Sequence, residues 1–278
     1  MPTPMVYANR TKPVQSNKFA KRIGAKTAKK IELAKNADFT LSPADATTYR
    51  ALAARCNYLA QDRADLSYAS KELCREFSVP NIESFKKLKR LVRYLAGLPR
   101  LIYRYGWQAM PTHLDVYVDT DFAGCASTRR STSGGAALLG GCLVKHWSKT
   151  QSTISLSSGE AELHGIAQGA AQPLGLQSLM KDIGWDIQVR VHSDATAAIG
   201  IARRKGLGKI RHLDTTDLWI QDQVRSKKIS LEKVLGTENP ADILTKYVDK
   251  DTLNRALPKM NLHKMLGRPD SAPAAMGA

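Results

Sequence analysis

The chain has 278 residues, a formal net charge of +17 and a hydrophobic content of 43%. This composition is sufficient for a globular core, and so large an excess of positive charge predicts a polyanionic partner, most often nucleic acid. No run is apolar enough for a membrane span or a signal peptide, so we expect a cytoplasmic or nuclear protein that is not secreted and has no membrane partner. The four cysteines lack paired C-x-x-C spacing, which argues against a zinc site and a disulfide framework.

The first part of the chain is basic and then helical. Residues 1–37 are predicted to form a flexible leader that attracts phosphate. Residues 41–98 carry the pattern of three helices, and the third begins at Pro80-Asn81 and stops at Gly97. The polar face of this third helix is almost wholly cationic, so it can lie along a nucleic-acid backbone, although a solvated surface helix is an equal alternative. The cations on this face are Lys86, Lys87, Lys89, Arg90 and Arg93.

The remainder of the chain alternates between strand and helix patterns. Strands are predicted at residues 101–107, 114–118, 136–139, 142–147, 187–191 and 229–234. Helices are predicted at residues 157–184, 195–203 and 215–227, and a final one opens over residues 239–247. This order predicts a mixed sheet with helices packed on it.

Acidic residues recur at the ends of these elements. Asp119 and Asp194 each follow a strand, so neighbouring strands would bring their carboxylates to one edge of the sheet, and Asp242 at the start of the last helix can point to the same edge. Singly, each acid is explained as a turn former or a helix cap, and we assign Asp121 to a turn. Together, in a strongly basic chain, they predict a site for two Mg²⁺ ions, with Mn²⁺ as a substitute.

Two glutamates of the long helix are candidates for the same site. The order Ser-Ser-Gly-Glu fits a capping box, in which Glu160 accepts a hydrogen bond from the backbone N–H of Ser157. Glu162 lies beside the apolar stripe of this helix, which contains Leu163 and Ile166, and it has no such local partner. We therefore favour Glu162 as the site carboxylate, with Glu160 as the alternative.

Several motifs resemble a known family. In chain order they are DTDFAGC, RRSTSGG, SLSSGEAEL, HSDATAAI, IRHLD and NPADILTK, and they resemble the RNase H domain of copia-type LTR retrotransposon polyproteins. The preceding TYRALAARCNYLAQDRADLSYASKEL and LVRYLAG resemble the segment that follows the reverse transcriptase palm in the same polyproteins.

The resemblance implies an α/β fold of the RNase H type, with a five-stranded mixed sheet flanked by helices and a small helical segment before it. It implies a Mg²⁺-dependent endonuclease that cuts the RNA strand of RNA–DNA hybrids, and it gives the catalytic and metal-binding role to Asp119, Glu162, Asp194 and Asp242. The expected organisation is a leader at 1–37, a helical remnant of the thumb or connection at 38–100, an RNase H-like domain at 101–250 and a tail at 251–278. The expected partners are the hybrid and the rest of the reverse transcriptase.

Two departures from related enzymes limit the expected activity. The loop LGTENPADI has no counterpart of the mobile histidine found in many cellular RNases H, and no Tyr-x-Asp-Asp motif occurs, so this chain alone is not expected to polymerise DNA. The main alternative is a catalytically inactive nucleic-acid-binding fragment that retains the fold, and a different nuclease on the same fold is a third. We expect a chain without residues 1–97 to keep cutting but to bind the hybrid more weakly.

Overall fold

The computed structural model describes residues 40–206 and 215–265. The basic leader, the motif IRHLD and the end of the tail lie outside these described residues. Within them, no helix is both long enough and apolar enough to cross a membrane.

The upstream segment contains the three predicted helices. They are α1 (Pro43–Leu59), α2 (Ser67–Cys74) and α3 (Ile82–Gly97). Ser42 caps α1 by accepting a hydrogen bond from the N–H of Asp45 at 3.1 Å, and Asn81 and Ser84 form a reciprocal capping box at the start of α3. A 3₁₀ turn, Ala64–Leu66, directly precedes α2.

The central sheet has five strands in the order β4-β3-β2-β5-β6. The strands are β2 (His113–Asp121), β3 (Thr132–Leu139), β4 (Cys142–Thr150), β5 (Gln188–Ser193) and β6 (Ile229–Lys233). The pairs β2–β3 and β3–β4 are antiparallel, whereas β2–β5 and β5–β6 are parallel. The predicted fold class, an RNase H-like α/β fold with a five-stranded mixed sheet, is confirmed.

Three helices cover one face of this sheet: α4 (Ser158–Asp182), α5 (Thr196–Arg203) and α6 (Thr215–Arg225). Alternate side chains of β2, such as Val116 and Val118, are fully buried in one cluster with Leu163 and Ile166 of α4. The period of two along a strand therefore places its apolar residues on this face and the intervening polar residues on the other.

A second, two-stranded sheet was not predicted. Strand β1 (Arg100–Tyr103) does not join the central sheet but pairs antiparallel with β7 (Leu262–Met265). The helix α7 (Lys250–Lys259) precedes β7. Residues 251–265, which were expected to belong to the C-terminal tail, thus contribute to α7 and β7, and Leu253, Leu257 and Leu262 are buried in a core.

The segment around Asp242 also differs from its prediction. Instead of a helix from Asn239, the chain forms a 3₁₀ turn, Pro240–Leu244, and the α-helix begins only after Asp249, which caps α7. The Asn239 amide donates to the carbonyl of Val118 at 2.8 Å, and its side-chain oxygen accepts from the N–H of Ala241 at 3.1 Å. These bonds tie the turn to the end of β2.

The upstream helices share a hydrophobic core with the central sheet. Tyr49 and Leu91 of the upstream segment pack in one buried cluster with Leu138 of β3, Leu143 of β4 and Leu257 of α7. The hydrophobic core therefore continues across the domain boundary that was expected near residue 100. Removing residues 1–97 would expose the second face of the sheet, so our expectation that the remainder keeps its function is revised.

Candidate metal centre

Three of the four predicted acids meet at one edge of the sheet. One carboxylate oxygen from each of Asp119, Glu162 and Asp194 lies within 4.8 Å of the others. Asp119 lies near the end of β2 and Asp194 directly follows β5, and these strands are parallel neighbours with Tyr117 opposite His192. Parallel pairing thus brings the two aspartates to the same edge, and the start of α4 adds Glu162.

The two glutamates of α4 have different surroundings. The Glu160 carboxylate accepts a hydrogen bond from the N–H of Leu156 at 2.8 Å, while the Glu160 N–H donates to Ser157 Oγ at 3.2 Å. The expected donor was the N–H of Ser157, so the capping bond reaches one residue farther back than predicted. Glu160 caps the helix, and Glu162 is the glutamate in the acidic group.

Burial and mutual repulsion perturb these carboxyl groups. Burial raises the pKa of Asp119 to about 6, although the nearby Lys246 and the hydroxyl of Thr245 favour its charged form. Burial, reinforced by Asp119 and Asp194, raises the pKa of Glu162 to about 9. Glu162 Oε2 is buried and accepts no hydrogen bond from the described residues.

This donor set fits a hard divalent cation. Carboxylate oxygens are ligands that Mg²⁺ and Mn²⁺ prefer, and Mg²⁺ takes its remaining ligands from water and substrate phosphate. With a divalent ion bound, the unpartnered Glu162 oxygen would be one of its ligands. The positive charge of the ion would also relieve the repulsion among the three close carboxylates. Asp119, Glu162 and Asp194 are the residues that could hold it.

Asp242 lies at the same edge but outside the group of three. Its carboxylate forms an ion pair with Lys246, whose Nζ also lies 4.0 Å from Asp119 Oδ2. Burial works to lower the pKa of Lys246, but Asp119 and Asp242 outweigh it, so the pKa is raised and the ammonium remains charged. Of the four acids predicted to converge, the structure brings three into one group, and Asp242 lies beside that group in an ion pair with Lys246.

Sequence reasoning missed the residues that surround Asp119. The hydroxyl of Thr245 donates to Asp119 Oδ2, and Lys246 bridges Asp119 and Asp242. One signal was available, since Lys246 follows Asp242 by four residues, a spacing at which opposite charges often pair. Nothing in the sequence indicated Thr245, because Asp119 precedes it by 126 positions.

The predicted cationic face of α3 is exposed. Its five cations are exposed, although Lys86 pairs with Glu83 at 2.7 Å and the Lys89 ammonium lies over the ring of Phe85. Lys87 and Arg90 line a small recess together with Tyr247.

No family profile matches this chain. A stretch of 131 residues, 46% of the chain, is 37% identical to the uncharacterized mitochondrial protein AtMg00810 of Arabidopsis thaliana and covers 53% of that protein. A stretch of 225 residues, 80% of the chain, is 28% identical to the retrovirus-related Pol polyprotein from transposon RE1 of Arabidopsis thaliana and covers 15% of it. The chain thus spans about half of the first relative and a small part of the second.

Among solved structures, one similar protein is LC11-RNase H1 in complex with an RNA/DNA hybrid. The sequence identity is 14% and the TM-score is 0.35, over 48% of this chain and 93% of that one.

Proposed function

We propose that this chain, which is similar to retrovirus-related Pol polyproteins of plant transposons, is part of a copia-type polyprotein and acts as a metal-dependent ribonuclease H that cuts the RNA strand of RNA–DNA hybrids. The observation that carries the proposal is the meeting of Asp119, Glu162 and Asp194 within 4.8 Å at the sheet edge. A basic chain that concentrates carboxylates at one point needs cations there before it can accept phosphate, which supports a metal-dependent reaction.

The side chains around the site hold the acids in place for this reaction. Thr245 orients Asp119 through its hydrogen bond, and Asn239 fixes the end of β2. Lys246 keeps Asp242 neutralised and presents a positive charge toward incoming phosphate. Asp119, Glu162 and Asp194 would hold a pair of Mg²⁺ ions, which would supply an activated water and stabilise the leaving oxygen of the phosphodiester.

We assign the hybrid-binding surface to the cationic face of α3. Contacts from Lys86, Lys87, Lys89, Arg90 and Arg93 would neutralise phosphates without reading sequence. Discrimination between a hybrid and DNA would come from the 2′-hydroxyl groups and the shape of the duplex. The rest of the reverse transcriptase is the further partner that we propose, and the cytoplasm or the nucleus is the proposed compartment.

The test is cleavage of an end-labelled RNA strand by the purified chain. We expect cutting of the RNA–DNA hybrid in Mg²⁺ or Mn²⁺, no cutting in EDTA, and no comparable cutting of RNA–RNA or DNA–DNA duplexes. The control is Asp194→Asn, which removes one acid while conserving the size of the side chain.

A chain that binds the hybrid tightly in Mg²⁺ but never cuts it would contradict the proposal. That outcome would favour an inactive nucleic-acid-binding fragment. The observation that favours this second function is the ion pair between Asp242 and Lys246, because it engages one of the four predicted metal-site acids with a cation of the chain itself.

A further inference from the structure

A surface depression of about 310 Å³ adjoins the acidic group on the side of α7. This volume is at the lower end of the range of about 300–1,000 Å³ that is typical of ligand sites. Its polar and charged lining includes Asp194, Asp242, Lys246, Thr252, Arg255 and Lys259. The depression therefore joins two of the predicted metal-site acids to three cations, two of which belong to a helix that the sequence pattern had assigned to the tail.

The three cations differ in how firmly they are held. Lys246 pairs with Asp242, and Lys259 pairs with Glu238 at 2.7 Å. The exposed Arg255 guanidinium donates to Thr252 Oγ1 at 3.0 Å and has no ion pair within the part of the chain that the structure describes. Arg255 acts on Asp249 only at longer range, as the lowered pKa of that carboxyl indicates, after the larger effect of its bonds to Thr252.

An acidic centre creates a need for cations beside it. A strand that places one phosphate at Asp194 must carry its next phosphate past the same acids, which repel it. A guanidinium meets this need best, because its planar fork can bind two oxygens of one phosphate at once. Thr252 can add a hydroxyl donor once Arg255 turns toward a phosphate.

We propose that this depression binds a phosphodiester of the strand being cut, next to the scissile linkage, and that Arg255 is its principal ligand. The inference rests on the proposed function, because it places the neighbouring phosphate relative to the cleavage site. Lys259 is held by Glu238 and by the carbonyl of Thr237 at 2.9 Å, so its ammonium adds a positive charge to the lining of the depression without moving. Arg255 is the group that moves onto the phosphate.

The experiment compares Arg255→Gln with Arg225→Gln in the full chain. Both variants lose one positive charge, but Arg225 lies on α6, where it pairs with Asp222. Hybrid affinity is measured by fluorescence anisotropy in EDTA over a series of salt concentrations, and KM and kcat are measured in Mg²⁺. Mg²⁺ binding is followed by calorimetry, and thermal unfolding verifies that each variant is folded.

We expect Arg255→Gln to weaken hybrid binding about 5- to 10-fold and to reduce the log–log salt slope by about one unit. KM is expected to rise with kcat nearly unchanged, and Mg²⁺ binding is expected to stay at the parent value. Arg225→Gln is expected to change affinity by less than about twofold. Arg255→Lys is expected to restore the salt slope but only part of the affinity, because lysine lacks the fork.

Equal affinities and equal salt slopes for Arg255→Gln and Arg225→Gln would overturn the inference. A loss of Mg²⁺ binding in Arg255→Gln would also overturn it, because Arg255 would then act on the acids rather than on phosphate. If the parent chain fails to cut the hybrid while Arg255→Gln still lowers affinity and slope, the proposed function fails and the phosphate site stands.

Discussion

Replacing Glu162 with glutamine is expected to remove a pH dependence of stability from the metal-free protein. The pKa of Glu162 is raised to about 9 in the folded chain from an ordinary value of 4.5, first by burial and then by Asp119 and Asp194. Between these values the folded state holds a proton that the unfolded state has released. The stabilisation is therefore complete below the unfolded pKa and is lost as the pH rises through the folded pKa.

The size of the effect follows from the shift. Each pH unit in this window lowers the free energy of unfolding by about 1.4 kcal/mol, so a rise from about pH 6.5 to about pH 8.5 costs about 2.7 kcal/mol. For a chain of this length that corresponds to a fall in Tm of about 5–11 °C. Asp119, whose pKa is raised to about 6, titrates mostly below the lower of these two pH values. Glutamine at position 162 cannot titrate, so the variant should lose this part of the fall.

The assay is thermal unfolding followed by circular dichroism in EDTA at both pH values. The quantity compared is the fall in Tm of the parent chain minus that of the variant, so histidine titrations cancel. Glu160→Gln is the matched control: it weakens the bond to the N–H of Leu156 and should lower Tm similarly at both pH values. If Glu162→Gln keeps the full fall of the parent chain, the reasoning about the acidic group is refuted. Saturating Mg²⁺ should also suppress the fall in the parent chain, because the bound ion displaces the proton.

Four further outcomes are expected. Asp194→Asn should abolish detectable cleavage while hybrid affinity stays equal or rises, because the change removes a charge that repels phosphate; cleavage near the parent rate would place the reaction elsewhere. Lys246→Met should tighten Mg²⁺ binding about fivefold in calorimetry, because a unit charge 4.0 Å from Asp119 contributes about 1 kcal/mol in a water-like dielectric. Weaker Mg²⁺ binding would mean that Lys246 organises the acids instead. Deleting residues 1–97 should yield a chain without a cooperative thermal transition, because the shared core is cut open, and a sharp transition would show that the remainder folds alone. Neutralising Lys87 and Arg90 together should lower the salt slope of hybrid binding by about two units, and an unchanged slope would make them solvated surface.

Much of the central sheet was predictable because its signals are local. Val116 and Val118 alternate with polar neighbours, and that period identifies a strand and its buried face without reference to any other part of the chain. The acids at strand ends were predictable for a related reason, since neighbouring parallel strands end at the same edge. The choice of Glu162 over Glu160 likewise followed from the local spacing of a capping box, and the geometry agrees with that choice.

The second sheet and the shared core could not be predicted in the same way. Strand β1 has four residues and finds its partner β7 about 160 positions later, and four residues do not specify a partner so far away. The apolar residues of α3 predicted that one side of the helix is covered, but not that they join a core that also contains residues of β3, β4 and α7. Apolar faces have no directional chemistry, so the identity of their partners depends on how the whole chain packs.

The amino-acid sequence by itself determined the strands of the central sheet, the caps of its helices, the basic face of α3 and the acids at the strand ends. Each of these features depends only on residues that lie within about one helical turn or one strand of each other in the sequence. The tertiary structure alone decided which acids remain uncompensated. Lys246 reaches both Asp119 and Asp242, and Thr245 and Asn239 bind β2 from more than 100 positions away. Side-chain charge can be neutralised only at short range, and the folded chain alone determines which groups come that close.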